Sequence, residues 1–444
     1  LLGVDGLSAP LVALTGILGL CAVLASWRIE TRVREHFVWL LVLQTAVMGV
    51  FSSLDLLLFF LFWELELVPM YMLISIWGTG RKEYSAMKFL MFTILGSAFM
   101  LVAIVAVFLT PDVGTFDMRA LSTQGTMLGA GVLLPLGALF WLFFIGFAIK
   151  LPVWPLHTWL PDAHTNAPTA ASVMLAGVLL KMGGYGLLRI NVGMFPAQAQ
   201  QFAWALVTLG VISVLYGAVV TLRQTDLKRL IAYSSVSHMG FVTLGIFCLN
   251  QNGIEGGILQ MINHGIITGA LFLCVGMIYE RTHTRMIEDY GGLFKTVPIY
   301  IVFFTIFSLA AIGFPGMNAF IGEFLIISGA FKANMVIAAF SIVRVLLGAS
   351  YMVWLYYRIA LNEINTNTKA QLTDLDLREI ATLLPLVILV FLIGLQPEIL
   401  LSYMHVSVEH LLERIHATLP IENLPVYDSM ASFAQYFKEI IGWT

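Results

Sequence analysis

The chain has 444 residues, of which 59% are hydrophobic and only 11% charged, with a formal charge of −3 and a mean hydropathy of +0.90. A soluble domain carries about 25% charged residues, so this composition cannot clothe a soluble surface. The apolar stretches are continuous and about 20 residues long rather than alternating over about 10, which excludes a transmembrane barrel.

Twelve spans are predicted in chain order, at 7–27, 36–52, 54–77, 86–109, 131–158, 168–190, 201–222, 229–249, 255–279, 297–331, 333–360 and 379–401. Basic residues gather in alternate turns: Arg28, Arg32 and Arg34; Arg81, Lys82 and Lys88; Arg223, Lys228 and Arg229; Arg281, Arg285 and Lys295; Arg358 and Lys369. The opposite loops hold little beyond Arg119, Arg189 and Lys332. The positive-inside tendency puts the rich side in the cytoplasm. Leu1 and the tail with Glu422, Asp428, Lys438 and Glu439 then lie outside, the tail reading as a short amphipathic surface segment.

Two spans contain breaks. The fifth is interrupted at Lys150-Leu151-Pro152-Val153-Trp154-Pro155 and the tenth at Gly313-Phe314-Pro315-Gly316. Proline removes a backbone donor and clashes with the preceding turn, and such breaks are tolerated at membrane depth when buried in protein or lining a wet cavity. Spans two to six and seven to eleven also match in reverse orientation, each set having its fourth helix broken. The pattern is an inverted-topology repeat of transporter type. The fold class is therefore an all-α polytopic membrane protein with about 12 transmembrane helices, two inverted five-helix repeats and two discontinuous helices. The divisions fall at 1–35, 36–190 (first repeat), 191–360 (second repeat) and 361–444 (a cytoplasmic loop, the last span and the tail).

Titratable groups inside the spans are the main functional signal, because an ionised side chain at bilayer depth costs roughly 3 kcal/mol or more and persists where it has a partner or serves an ion path. Glu64 lies in the third span. Glu66 is a weaker candidate, because positions i and i+2 of a helix point apart. Lys150, at the first break, is read as the partner of Glu64, the alternative being a lysine that snorkels to the interface. Lys181, some twelve residues into the sixth span, suits a central relay, since burial makes its proton labile. His238 and His264 suit a proton shuttle, with Ser234, Ser235 and Ser237 placed to hold waters beside them and His157 extending the line; a pair of hydrogen-bonded core histidines is the alternative. Glu323 follows the second break as a terminal proton site or as an acid at a helix N-terminus. Arg344 cannot release a proton and reads as a fixed countercharge for Glu323. Asp162 and His164 form either a capped helix start or polar groups at a cytoplasmic mouth.

The cysteines Cys21, Cys248 and Cys274 lie singly in apolar segments, without a CxxC pair, a dinucleotide fingerprint or a P-loop. The chain is expected to hold no metal and no cofactor.

The stretch Phe62-Trp63-Glu64-Leu65-Glu66-Leu67-Val68-Pro69-Met70-Tyr71 resembles the antiporter-like M subunits of bacterial respiratory complex I, the proton-translocating NADH:quinone oxidoreductase, and their mitochondrial chain-4 counterparts. Supporting stretches are Ala148–Pro152 through Leu156–His164, Thr225–Ser235, Tyr279–Arg285 and Gly322-Glu323-Phe324, and the likeness covers nearly all of residues 1–405. It implies Glu64 and Lys150 as an input pair, Lys181 as the relay lysine, His238 and His264 as connecting histidines and Glu323 as the terminal group. It implies flavin, iron–sulfur clusters and quinone in other subunits, sibling antiporter-like subunits as neighbours, a bacterial cytoplasmic membrane, and two more helices ahead of Leu1, where the chain begins without Met. Arg344 has no counterpart in that pattern. The rival readings are a subunit of a multi-subunit sodium/proton antiporter, the membrane arm of an energy-converting hydrogenase, and a scaffold with inert charges.

Overall fold

A computed structural model of the chain describes residues 1–111, 113–124, 133–363 and 372–418. Lys369 and the tail residues Glu422, Asp428, Lys438 and Glu439 fall outside the described residues, so the surface reading of the tail does too. Among the described residues, nine helices are long and apolar enough to cross a membrane and three shorter apolar helices accompany them. Each of the twelve predicted spans has its helix.

In chain order these are α1 (Ala9–Ala25), α2 (Val33–Ser52), α3 (Leu56–Trp77), α4 (Lys82–Phe108) and α5 (Leu136–Lys150). After the first break come the short α6 (Leu160–Asn166), then α7 (Thr169–Val192), α8 (Pro196–Leu222), α9 (Leu227–Phe247) and α10 (Gln251–Thr282). The second break separates α11 (Pro298–Ile312) from α12 (Asn318–Ala333); α13 (Met335–Leu361), α14 (Leu377–Leu395) and α15 (Glu398–Thr418) follow.

Local chemistry explains the starts. The carboxylate of Asp226 accepts from the Arg229 amide at 3.1 Å, and the Asn250 side chain accepts from Gly253 at 3.0 Å, each satisfying a donor that the first turn leaves over. Asp376 and Glu379 form a reciprocal capping box at the head of α14. Pro196 and Pro298 occupy first helical positions, where proline's missing amide costs nothing.

α7 and α10 are buried along their whole apolar windows and form the centre of the molecule. They carry backbone approaches that only small residues permit: a Cβ at Gly265 would stand 2.7 Å from the Gly177 carbonyl, and one at Gly256 would stand 2.7 Å from the Ile326 amide. The basic loops meet on one face. Arg28 reaches Asp376 at 2.6 Å, Lys88 reaches Asp162 at 2.6 Å, and Arg285 hydrogen-bonds the Thr165 carbonyl. On the far face Arg189 bonds Asp5 at 2.6 Å, and the buried Gln200 donates to the Ile415 carbonyl of α15 at 2.8 Å.

Candidate functional site

Four irregular places position the acidic and lysine side chains, while His238, Gln260, His264 and Arg344 project from the regular helices α9, α10 and α13. The first is Pro69 in α3, which has no amide proton for the Leu65 carbonyl and divides the span into Leu56–Leu65 and Leu67–Trp77. The second is the end of α5 at Lys150. The third is α7, whose turns widen to π geometry at Leu175–Leu179 and Leu187–Val192, on either side of Lys181. The fourth is the gap between α11 and α12, where Gly313 has φ +81° and Gly316 φ +88°.

At the first break the ion pair differs from the sequence expectation. Lys150, only 1% exposed, donates to the carboxylate of Glu66, not Glu64. The buried face of α3 runs through Phe59, Trp63, Glu66, Met70 and Leu73, at helical spacing, so Glu66 is in phase with the core. Glu64 stands on the flank of that face, half-buried, beside the Ser97 hydroxyl of α4 and within electrostatic reach of Lys150. The i, i+2 rule does separate the two carboxylates, and it is Glu66 that points inward. The phase of the neighbouring apolar residues was the signal that could have found Glu66. The Lys150 ammonium also lies 5.5 Å from the Trp63 ring and 5.3 Å from the Phe89 ring, and its burial rules out snorkelling.

From Lys181 a buried line of side chains runs from α7 through α10 and α9 to α12. The Lys181 ammonium donates to the Ala176 carbonyl in the widened turn and lies 2.7 Å from Nδ1 of His264. The His264 and His238 rings are 5.3 Å apart. Gln260 reaches Nδ1 of His238 at 3.1 Å and the Glu323 carboxylate at 3.4 Å, and His238 Nδ1 is 3.6 Å from that carboxylate. The order along the line is therefore Lys181, His264, His238, Glu323. Gln260 is a member that sequence reading passed over, because a buried amide in an apolar helix carries no titratable signal.

Arg344 pairs with Glu323, as the sequence suggested, and its Nη2 lies 2.9 and 2.7 Å from the two ring nitrogens of His238. Its guanidinium is fully buried over Phe241 at 5.3 Å. Glu323 is the sixth residue of α12, beyond the first turn, so the helix dipole is a minor influence on it.

The supporting residues are scattered by comparison. Asp162 is tied to Lys88. His157 lies edge-on to Tyr216 at 5.0 Å. Ser235 donates to the Ile231 carbonyl of its own helix, and no hydrogen bond carries it to the line. His164 is fully buried, stacked on Phe272 at 4.6 Å, with no protein partner for either ring nitrogen. Burial first, then the nearby charges of Lys228 and Lys181, hold its imidazole well below the usual histidine range. Among the described residues no three His, Cys, Asp or Glu side chains come together as a metal site.

Residues 53–348 match a family described as NADH:quinone oxidoreductase/Mrp antiporter, transmembrane. NADH-quinone oxidoreductase subunit M of Rhodobacter capsulatus is 46% identical over 426 residues, covering 94% of this chain and 83% of that protein. NADH-ubiquinone oxidoreductase chain 4 of Marchantia polymorpha is 42% identical, covering 93% and 82% respectively. Among solved structures, a chain of respiratory complex I from Thermus thermophilus superposes with a TM-score of 0.86 at 30% identity, over 93% of this chain and 86% of that one. A chain of the Mrp complex from a Dietzia species shares the fold, with a TM-score of 0.80 at 21% identity over 93% of this chain and 86% of that one.

Proposed function

The chain belongs to the NADH:quinone oxidoreductase/Mrp antiporter transmembrane family, and from that premise we propose that it is the proton-translocating M-type subunit in the membrane arm of an NADH:quinone oxidoreductase. It is a multi-pass membrane subunit of a translocase, and the redox chemistry belongs to other subunits. Flavin, iron–sulfur clusters and quinone are theirs. Its neighbours are other membrane subunits of the complex, antiporter-like siblings among them, in a bacterial cytoplasmic membrane.

Protons move along Lys181, His264, His238 and Glu323. His157, Asp162 and His164 stand near the cytoplasmic mouth, and the Glu64/Glu66–Lys150 group is the input. A change of charge at that input alters the field at Lys181, whose ammonium then passes a proton to His264. His238 hands the proton on to Glu323, Gln260 orients the two by its side-chain NH2, and Arg344 supplies the fixed positive charge that keeps the terminal carboxylate compatible with burial.

The observation that carries this reading is the buried line of close contacts that leads from Lys181 of α7 through His264 and His238 to Glu323 of α12. Its test is Lys181→Met in the assembled complex, in inverted membrane vesicles. NADH oxidation by an artificial acceptor should persist, while proton uptake per NADH falls by about tenfold or more. Full proton uptake by this variant would sink the scheme.

A further inference from the structure

The input group holds two carboxylates for one ammonium, and their surroundings differ. Glu66 is fully buried, on the core-facing side of α3. One of its oxygens accepts from Lys150 and the other has no protein partner. Glu64 is half-buried, and its Oε1 is likewise without a partner. Trp63 and Phe89 flank the ammonium, so Lys150 has an aromatic seat with one anion in it. A buried cation in such a seat is tolerated only while its counterion stays.

We propose that the two carboxylates divide the work: Glu66 is a positioning residue, the standing countercharge that fixes Lys150 in the interior, and Glu64 is the carboxyl group that takes up and gives back a proton. This rests on the proton-translocating reading above and assigns Glu66, not Glu64, as the resting counterion of Lys150. The half-turn containing Glu66 follows the core, while Glu64 stands on its flank with the Ser97 hydroxyl of α4 beside it and no ammonium bonded to it.

The division is tested by carbodiimide labelling of the whole complex in membranes, with labelled peptides quantified by mass spectrometry. Dicyclohexylcarbodiimide adds to a protonated carboxyl group and spares one held ionised by a cation. Glu64 should label severalfold more than Glu66 in the unmodified protein, and Lys150→Met should raise labelling of Glu66 towards that of Glu64. Equal labelling of the two in the unmodified protein, or labelling of Glu66 unchanged by Lys150→Met, overturns the assignment.

A second measurement follows assembly and pumping. Glu66→Gln should lower both the amount of assembled complex and protons moved per NADH. Glu66→Asp should keep both, and Glu66→Gln with Lys150→Met should recover assembly without pumping. A Glu66→Gln variant that assembles and pumps normally overturns the inference, as does an assembly defect of Glu64→Gln that Lys150→Met repairs. Lys181→Met separates the two levels. Normal pumping by Lys181→Met defeats the translocation reading, whereas loss of pumping there alongside a silent Glu66→Gln defeats only the division between the carboxylates.

Discussion

Arg344 shows how much one side chain can be asked to hold. Its guanidinium meets Glu323 on one side and both nitrogens of His238 on the other, entirely out of solvent. Removing one member of a buried pair strands the other, which costs about 3–5 kcal/mol. Arg344→Met should therefore depress assembled protein and pumping together. Arg344→Lys should keep the charge and lose the planar fork, so it should assemble yet pump more slowly; proton uptake at equal complex content checks this, and a fully active Arg344→Met would remove Arg344 from the site. At this scale the sequence was legible in kind and only half in pairing: Arg344 meets Glu323 as expected, and Lys150 meets Glu66 instead of Glu64. Lys150, Lys181, His238, His264, Glu323 and Arg344 stood out because charges are rare inside apolar runs. Which carboxylate faced Lys150 depended on the phase of α3, and Gln260 had no charge to betray it.

The breaks in α5 and between α11 and α12 were readable from Pro152, Pro155, Pro315 and the flanking glycines, because proline and glycine act locally. The π turns of α7 were not, since only Gly177 falls within Leu175–Leu179 and neither proline nor glycine lies within Leu187–Val192. The second break is where geometry and chemistry meet. Gly313 takes φ +81°, and a Cβ there would stand 3.0 Å from a Glu323 oxygen. Gly313→Ala adds strain of about 1–3 kcal/mol for the left-handed conformation and crowds the terminal carboxylate. The expected outcome is a lowered melting temperature of the purified complex with a larger fractional loss of pumping than of NADH oxidation. Gly316→Ala is the control, because it shares the positive φ but has only a distal leucine methyl, 3.9 Å away, near its Cβ position. Equal pumping by the two variants would show that backbone strain alone matters.

Across the whole molecule α7 and α10 form the buried centre, and α14 clamps the basic face. The clamp is a charge pair formed over 98 positions of sequence: Arg281, in the last turn of α10, bonds both oxygens of Glu379 at 2.9 and 2.6 Å. The Glu379 side chain is 1% exposed and that of Arg281 9%, so neither is a solvated surface charge. The sequence marked Arg281 as one more basic residue in a cytoplasmic turn; its partner was illegible because long-range pairing leaves no local pattern. Charge-by-composition logic would treat the pair as a topological signal whose loss is mild. Burial argues otherwise: Arg281→Gln leaves the buried Glu379 carboxylate with only the Asp376 amide and the more distant Arg378, at a cost of up to about 3–5 kcal/mol, whereas neutralising both partners relieves most of it. Arg281→Gln and Glu379→Gln should each lower the melting temperature and the yield of assembled complex, and the double variant should regain most of both. If the single changes are silent, or the double is as poor as the sum of its parts, the basic face is held by helix packing and not by this pair.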